Sequence, residues 1–202
     1  MGMLASIQTI DSVVRIAKPI IDTVCTSLVP EMKDFADRLF ALSEKYPSLE
    51  AWAKTIDKAA DFMRDLLFAV GITSDSADVL GMKAGRAEKT VSDFDSVEAY
   101  IQYLHDEIDL DKSDLDNLSP IERAAYQTAG LAIEAGALGE TVNTMISADF
   151  TLLLAKIKDI SDIAVSASEI VSIIVSLKDK GISRMDDICE YVEAKGDSDR
   201  IK

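Results

Sequence analysis

The sequence predicts an all-α protein, a helical bundle, and three observations carry that expectation. Apolar residues recur at alternating steps of four and three along most of the chain, recognisable helix starts and stops flank those runs, and no two alternating β-branched runs are joined by a hairpin turn. Composition agrees: 48% hydrophobic and 28% charged residues are a globular balance, not a disordered one. A chain of this size buries roughly 70% of its unfolded surface, enough for one full domain or two small ones.

Three segments open the chain with heptad spacing. The first carries Met3, Ile7, Ile10, Val14, Ala17, Ile21, Val24 and Leu28; the second Met32, Phe35, Leu39, Leu42 and Tyr46; the third Leu49, Trp52, Ile56, Ala59, Met63, Leu66 and Val70. Such stripes favour shallow left-handed packing. Pro30 and Pro47 mark the second and third helix starts, whereas Pro19 lies inside the first segment and predicts a kink. Short connections then predict an up-down-up three-helix bundle over residues 1–72. The same stripes offer a surface for a homo-oligomer.

Gly71, Ser74, Asp75 and Ser76 break the pattern, and Gly81-Met82-Lys83-Ala84-Gly85-Arg86 forms a compact basic patch. That patch lacks the spacing of a phosphate-binding loop, so residues 73–94 read as a linker or weak helix. A roughly five-helix bundle is expected over 95–196. Asp95 and Glu98 open its first helix, which buries Val97, Ile101, Leu104 and Ile108. Ser119-Pro120-Ile121-Glu122 is a capping box with proline at the first helical position. The helix behind it aligns Ala125, Ala129, Ala132 and Gly136, small enough for close helix approach, with Gly136 as a stop. A helix over about 140–160, through Val142, Ile146, Phe150, Leu153 and Ile157, is broken near Asp149. Residues 163–180 are apolar on most sides, which places that helix in the middle of the bundle, with Ala164, Ser168, Ser172 and Ser176 as its close-contact line. Ser183 to Lys195 closes the fold, and residues 197–202 are expected to be a disordered tail.

Charge and cysteine usage narrow the function. A net charge of −15 argues against nucleic acid as a direct ligand, because phosphate contact needs clustered Lys and Arg. Cys25 and Cys189 sit in apolar periodic runs and read as buried reduced thiols, which suits a cytoplasmic protein. No run reaches the roughly 18 apolar residues of a membrane span. Met1-Gly2-Met3-Leu4-Ala5-Ser6 fits a myristoylation pattern, but no basic residue precedes Arg15 to supply a second membrane signal, so an unmodified helix start is the better reading.

Catalytic signals are poor. His105 is the single histidine, no serine sits in a nucleophile elbow, and neither cysteine has a basic neighbour to activate it. Acid/base catalysis stays open, carried by carboxylates among which the sequence does not choose. The unusual stretch is acidic: residues 71–118 hold twelve acidic side chains against four basic ones, net −8 of the total −15. Within it, Asp109, Asp111, Ser113 and Asn117 fall at positions one, three, five and nine of an EF-hand loop, the basis for calcium as a weak cofactor. The match fails at position six, Asp114 in place of Gly, and at twelve, Pro120 in place of Glu. His105 with Asp109 offers two ligands from one helical turn, fewer than a transition metal needs. The leading expectation is therefore a non-enzymatic interaction module of inhibitor, immunity or regulatory type. It presents Asp106, Glu107, Asp109, Asp111, Asp114 and Asp116 to a basic protein partner. A divalent-cation-responsive protein and a membrane-associated one are the alternatives.

Overall fold

The computed structural model describes residues 2–24, 30–143, 145–152 and 167–179, with side chains placed for 11–24, 32–143, 145–152 and 167–176. Among the described residues all regular structure is helical and no strand occurs. The elements are α1 (Gly2–Val24), α2 (Pro30–Ser43), α3 (Leu49–Ala69), α4 (Ala77–Arg86), α5 (Val97–Glu107), α6 (Lys112–Asp116), α7 (Pro120–Val142) and α9 (Ala167–Asp179). Helix α8 starts at 148 and is described as far as 152. A single 3-10 turn, Val91–Asp93, precedes α5.

The bundle is arranged around α7. Among the described residues, helices α1, α2, α3, α4 and α5 each make their most extensive contact with it, and α1 to α3 contact one another less. The sequence of α7 explains this role. Ala124, Ala125, Ala129, Ala132, Ala135 and Ala137 are buried on several sides of the helix, so neighbours can pack around most of its circumference. The closest neighbour is α4. A Cβ placed on Gly130 would lie 1.9 Å from the Ala77 carbonyl oxygen, and one on Gly81 would lie 2.0 Å from that of Tyr126. Backbone meets backbone at both points, and only glycine permits it.

Local signals account for the boundaries. Ser48 caps α3 by accepting from the Ala51 amide, so Pro47 lies just outside the helix instead of opening it. Helix α3 ends in a Schellman turn: Gly71 has φ 91°, the Gly71 amide donates to Phe68 O and the Ile72 amide donates to Leu67 O. Ser119 and Glu122 form the expected capping box on α7, with Pro120 at its first position. At the other end Asn143 adopts φ 50° and closes the helix.

Several expectations are corrected. Gly136 does not stop α7; its missing side chain makes room for Met32, whose Cγ would lie 2.8 Å from an added Cβ. Asn143 and residues 145–147 lie outside any helix, so the interruption comes just ahead of Asp149, which sits in the first turn of α8 and pairs with Arg38 at 2.8 Å. Of the two readings for residues 73–94, linker or weak helix, Ala77–Arg86 takes the helical one, with Gly81, Met82, Lys83 and Ala84 buried in α4. Ser96, not Asp95, caps α5 by accepting from Ala99. On α1 the buried line is Val13, Ala17, Ile21 and Val24, rotated slightly from the predicted stripe through Val14. The middle helix is α7 and not the 163–180 segment, because Ser168, Ser172 and Ser176 of α9 face solvent and Ala-rich α7 allows closer approach.

The stripes of α2 and α3 are confirmed, with Met32, Phe35, Leu39, Leu42, Trp52, Ile56, Ala59, Met63 and Leu66 buried. They face the interior of this chain, inside one apolar cluster that runs from Val13 to Ile174. Cys25, Leu28, Leu153, Ile157, Ala164, Cys189, the expected helix over 183–195 and the 197–202 tail lie outside the described residues. Among the described residues no helix is long and apolar enough to cross a membrane.

The two helix crossings set up an internally controlled test. Gly130→Ala and Gly81→Ala should each destabilise the protein by about 3 kcal/mol, because the intruding methyl meets backbone that cannot rotate away. Gly85→Ala should change stability by less than about 1 kcal/mol, since its Cβ would meet no backbone, only the movable Ile20 side chain at 3.3 Å and the Tyr126 ring at 3.9 Å. Urea denaturation of the three variants measures the contrast.

Candidate functional site

The acidic stretch folds into an edge built from α5, the 108–111 connection and α6. Val97, Tyr100, Ile101 and Leu104 anchor α5 in the core. The Val97 amide donates to Glu140 Oε2 at 2.7 Å, tying the start of α5 to α7. Lys89 lies 5.7 Å from the Phe94 ring centre and 5.2 Å from that of Tyr103, fastening the preceding segment to the same helix.

Charge at the end of α5 is divided. Lys83 Nζ donates to His105 O at 3.2 Å and sits 2.8 Å from Asp75 Oδ2. This buried cation meets the negative end of the helix, the favourable arrangement. His105 Nδ1 lies 3.2 Å from Asp75 Oδ1, so the histidine is engaged with the segment before α4. Asp106 and Glu107 occupy the same last turn with the opposite sign. Negative charge there costs about 0.3–1 kcal/mol per residue at low salt. Asp106 accepts from Gln102 Nε2 at 2.8 Å, and among the described residues neither acid has an ion-pair partner.

Asp114 serves the fold instead. Its carboxylate accepts from Arg86 Nη1 at 2.8 Å and from the Asp111 amide at 3.1 Å. The Arg86 hydrogen bond first, and then the Asp111 amide, hold its carboxyl below the usual aspartate range. Arg123 bridges the buried Asp78 carboxylate and the Leu115 carbonyl, the latter at 3.0 Å, and so seats α6 against α4 and α7. Of the six acidic residues expected to meet a partner, Asp106, Glu107, Asp109, Asp111 and Asp116 are therefore exposed, while Asp114 is half-buried and paired.

The calcium pattern takes a different form in space. Residues 112–116 are helical, whereas an EF-hand loop stays open around its ion. Asn117 Nδ2 donates to Ser113 O at 2.8 Å, an intrahelical contact. Asp109 and Asp111 lie before that helix and Ser113 within it. Among the described residues no three His, Cys, Asp or Glu side chains are grouped to share an ion.

Glu134 belongs to no sequence motif. It lies in the middle of α7 with no exposure, and Ser74 Oγ, whose single proton is shared with the Asp75 carbonyl at 3.1 Å, lies 3.3 Å from its Oε1. Its Oε2 has no hydrogen-bond partner among the described residues. Burial pushes this carboxyl well above the usual glutamate range, against the opposing charge of Arg64. A signal did exist: Glu134 is the one charged residue between Arg123 and Glu140.

The Asp114–Arg86 pair has a signed pH consequence. A carboxyl held low stabilises the fold above its ordinary range and loses that contribution as pH falls through the lowered value. Thermal melts from about pH 6 to about pH 2 should therefore show a shallower acid-side decline in Arg86→Gln than in the parent, the two converging at the acid end. Compared with models of known families, with curated proteins and with solved structures, the chain matches none.

Proposed function

We propose that the chain is a non-enzymatic helical interaction module that presents the α5–α6 edge to a basic protein partner, in the manner of an inhibitor, immunity or regulatory subunit. The observation that supports this reading is the placement of Asp106 and Glu107. They sit at the negative end of a helix, exposed and without an ion-pair partner among the described residues, where they work against the stability of α5. Asp109, Asp111 and Asp116 extend the same exposed edge. Asp111 also caps α6 with Asp114, and Asp106 accepts from Gln102, but fold stability gives no reason for Glu107, Asp109 and Asp116 beside them; encounter with positive charge does, since complementary fields accelerate association and exclude wrong partners.

Substituting Asp106, Asp109 and Asp116 by Asn, and Glu107 by Gln, should leave the melting temperature unchanged or slightly raised. It should lower recovery of a basic partner roughly tenfold at low salt, with the difference shrinking as ionic strength rises. Affinity capture from the native source at two salt concentrations, quantified by mass spectrometry for parent and variant, measures this. Equal recovery by the two proteins at low salt would remove the proposal.

A further inference from the structure

We propose that residues 72–76 form a strap across Glu134, and that the strap lifts when this carboxyl loses its proton. The strap leaves α3 at Gly71, whose φ of 91° provides the turn. It is pinned at one end by buried Ile72, whose amide donates to Leu67 O at 2.9 Å. Asp75 pins the other end, 2.8 Å from Lys83 Nζ and 3.2 Å from His105 Nδ1. Between these anchors the backbone has no regular structure, and Ser74 reaches down to Glu134 Oε1.

The carboxyl beneath is poorly prepared for charge. A buried carboxylate needs several donors; this one has the single 3.3 Å contact from Ser74, and its Oε2 has none among the described residues. The charged groups acting on it are Arg64 and Asp61 of α3. Arg64 Nη2 lies 3.1 Å from Asp61 Oδ1, so its charge is shared, and Asp61 itself repels a carboxylate. Loss of the proton leaves two routes to water, separation of α3 from α7 or lifting of the strap. Lifting disturbs Ile72, the Ser74 contact and one end of the Schellman turn, and leaves the helix packing in place. Local opening of that kind is the smaller change.

Hydrogen exchange of the Ile72 amide, followed by NMR on the full chain across a pH series and expressed as protection factors, tests the proposal. Opening linked to one ionisation should reduce Ile72 protection about tenfold per pH unit between the ordinary glutamate range and the raised value, then level off. The Ile133 amide in α7 should keep its protection, and Glu134→Gln should flatten the Ile72 profile. A flat profile in the parent protein, an unchanged slope in Glu134→Gln, or an equal slope at Ile133 would each overturn it. If the variant does not fold, carbon-13 titration of the Glu134 carboxyl in the parent decides. Titration in the ordinary glutamate range overturns the proposal, and a raised midpoint that tracks Ile72 protection supports it.

Discussion

Backbone contact between α4 and α7 sets the position of the surrounding elements. Where Gly130 meets the Ala77 carbonyl and Gly81 meets that of Tyr126, the two helices are too close for any side chain. That spacing fixes α4, and α4 in turn carries Lys83 to the end of α5 and Arg86 to α6. The exposed acidic edge is thus held by two cations on a helix whose own place is dictated by two missing methyl groups. Electrostatics at the surface depend here on steric closeness in the core.

The chain handles carboxylates in three ways, and location decides between them. Glu134 is enclosed and its proton is held by burial. Asp75, Asp78 and Asp114 lie along the borders of α4 and are paired with Lys83, Arg123 and Arg86. Asp106, Glu107, Asp109, Asp111 and Asp116 remain in solvent. Residue type is nearly constant across these groups. What differs is how many donors the surrounding backbone and cations can direct at each oxygen, which is why net charge alone says little about where a carboxylate can act.

Helix identity was legible because caps and periodicity are local. Ser119, Pro120 and Glu122 announce α7 within four residues, and the α2 and α3 stripes identify their buried faces without knowledge of a partner. The centre of the bundle was harder to see, since hydrophobicity favours the 163–180 segment while close packing favours alanine and glycine. Small residues lower the apparent hydrophobicity of α7 even as they let more helices reach it. Gly136 shows the same ambiguity: a glycine reads as a stop unless the approaching side chain, here Met32, is known. At the acidic edge the composition was plain, but the withdrawal of Asp114 into a pair with Arg86 depends on residues 28 apart, a distance that periodicity does not report.

The position of α7 along the chain also governs the order in which contacts can form. Helices α1, α2 and α3 emerge from synthesis long before residues 120–142, the surface against which each of them packs most extensively. Until that segment arrives, the apolar faces holding Phe35, Leu39, Trp52 and Met63 lack the helix that α2 and α3 contact most among the described residues. Packing α1 or α2 on α7 closes a loop of roughly a hundred residues, and contacts of such sequence separation slow folding relative to bundles built from sequential hairpins. A nascent chain halted before Pro120 presents three amphipathic helices to any chaperone within reach.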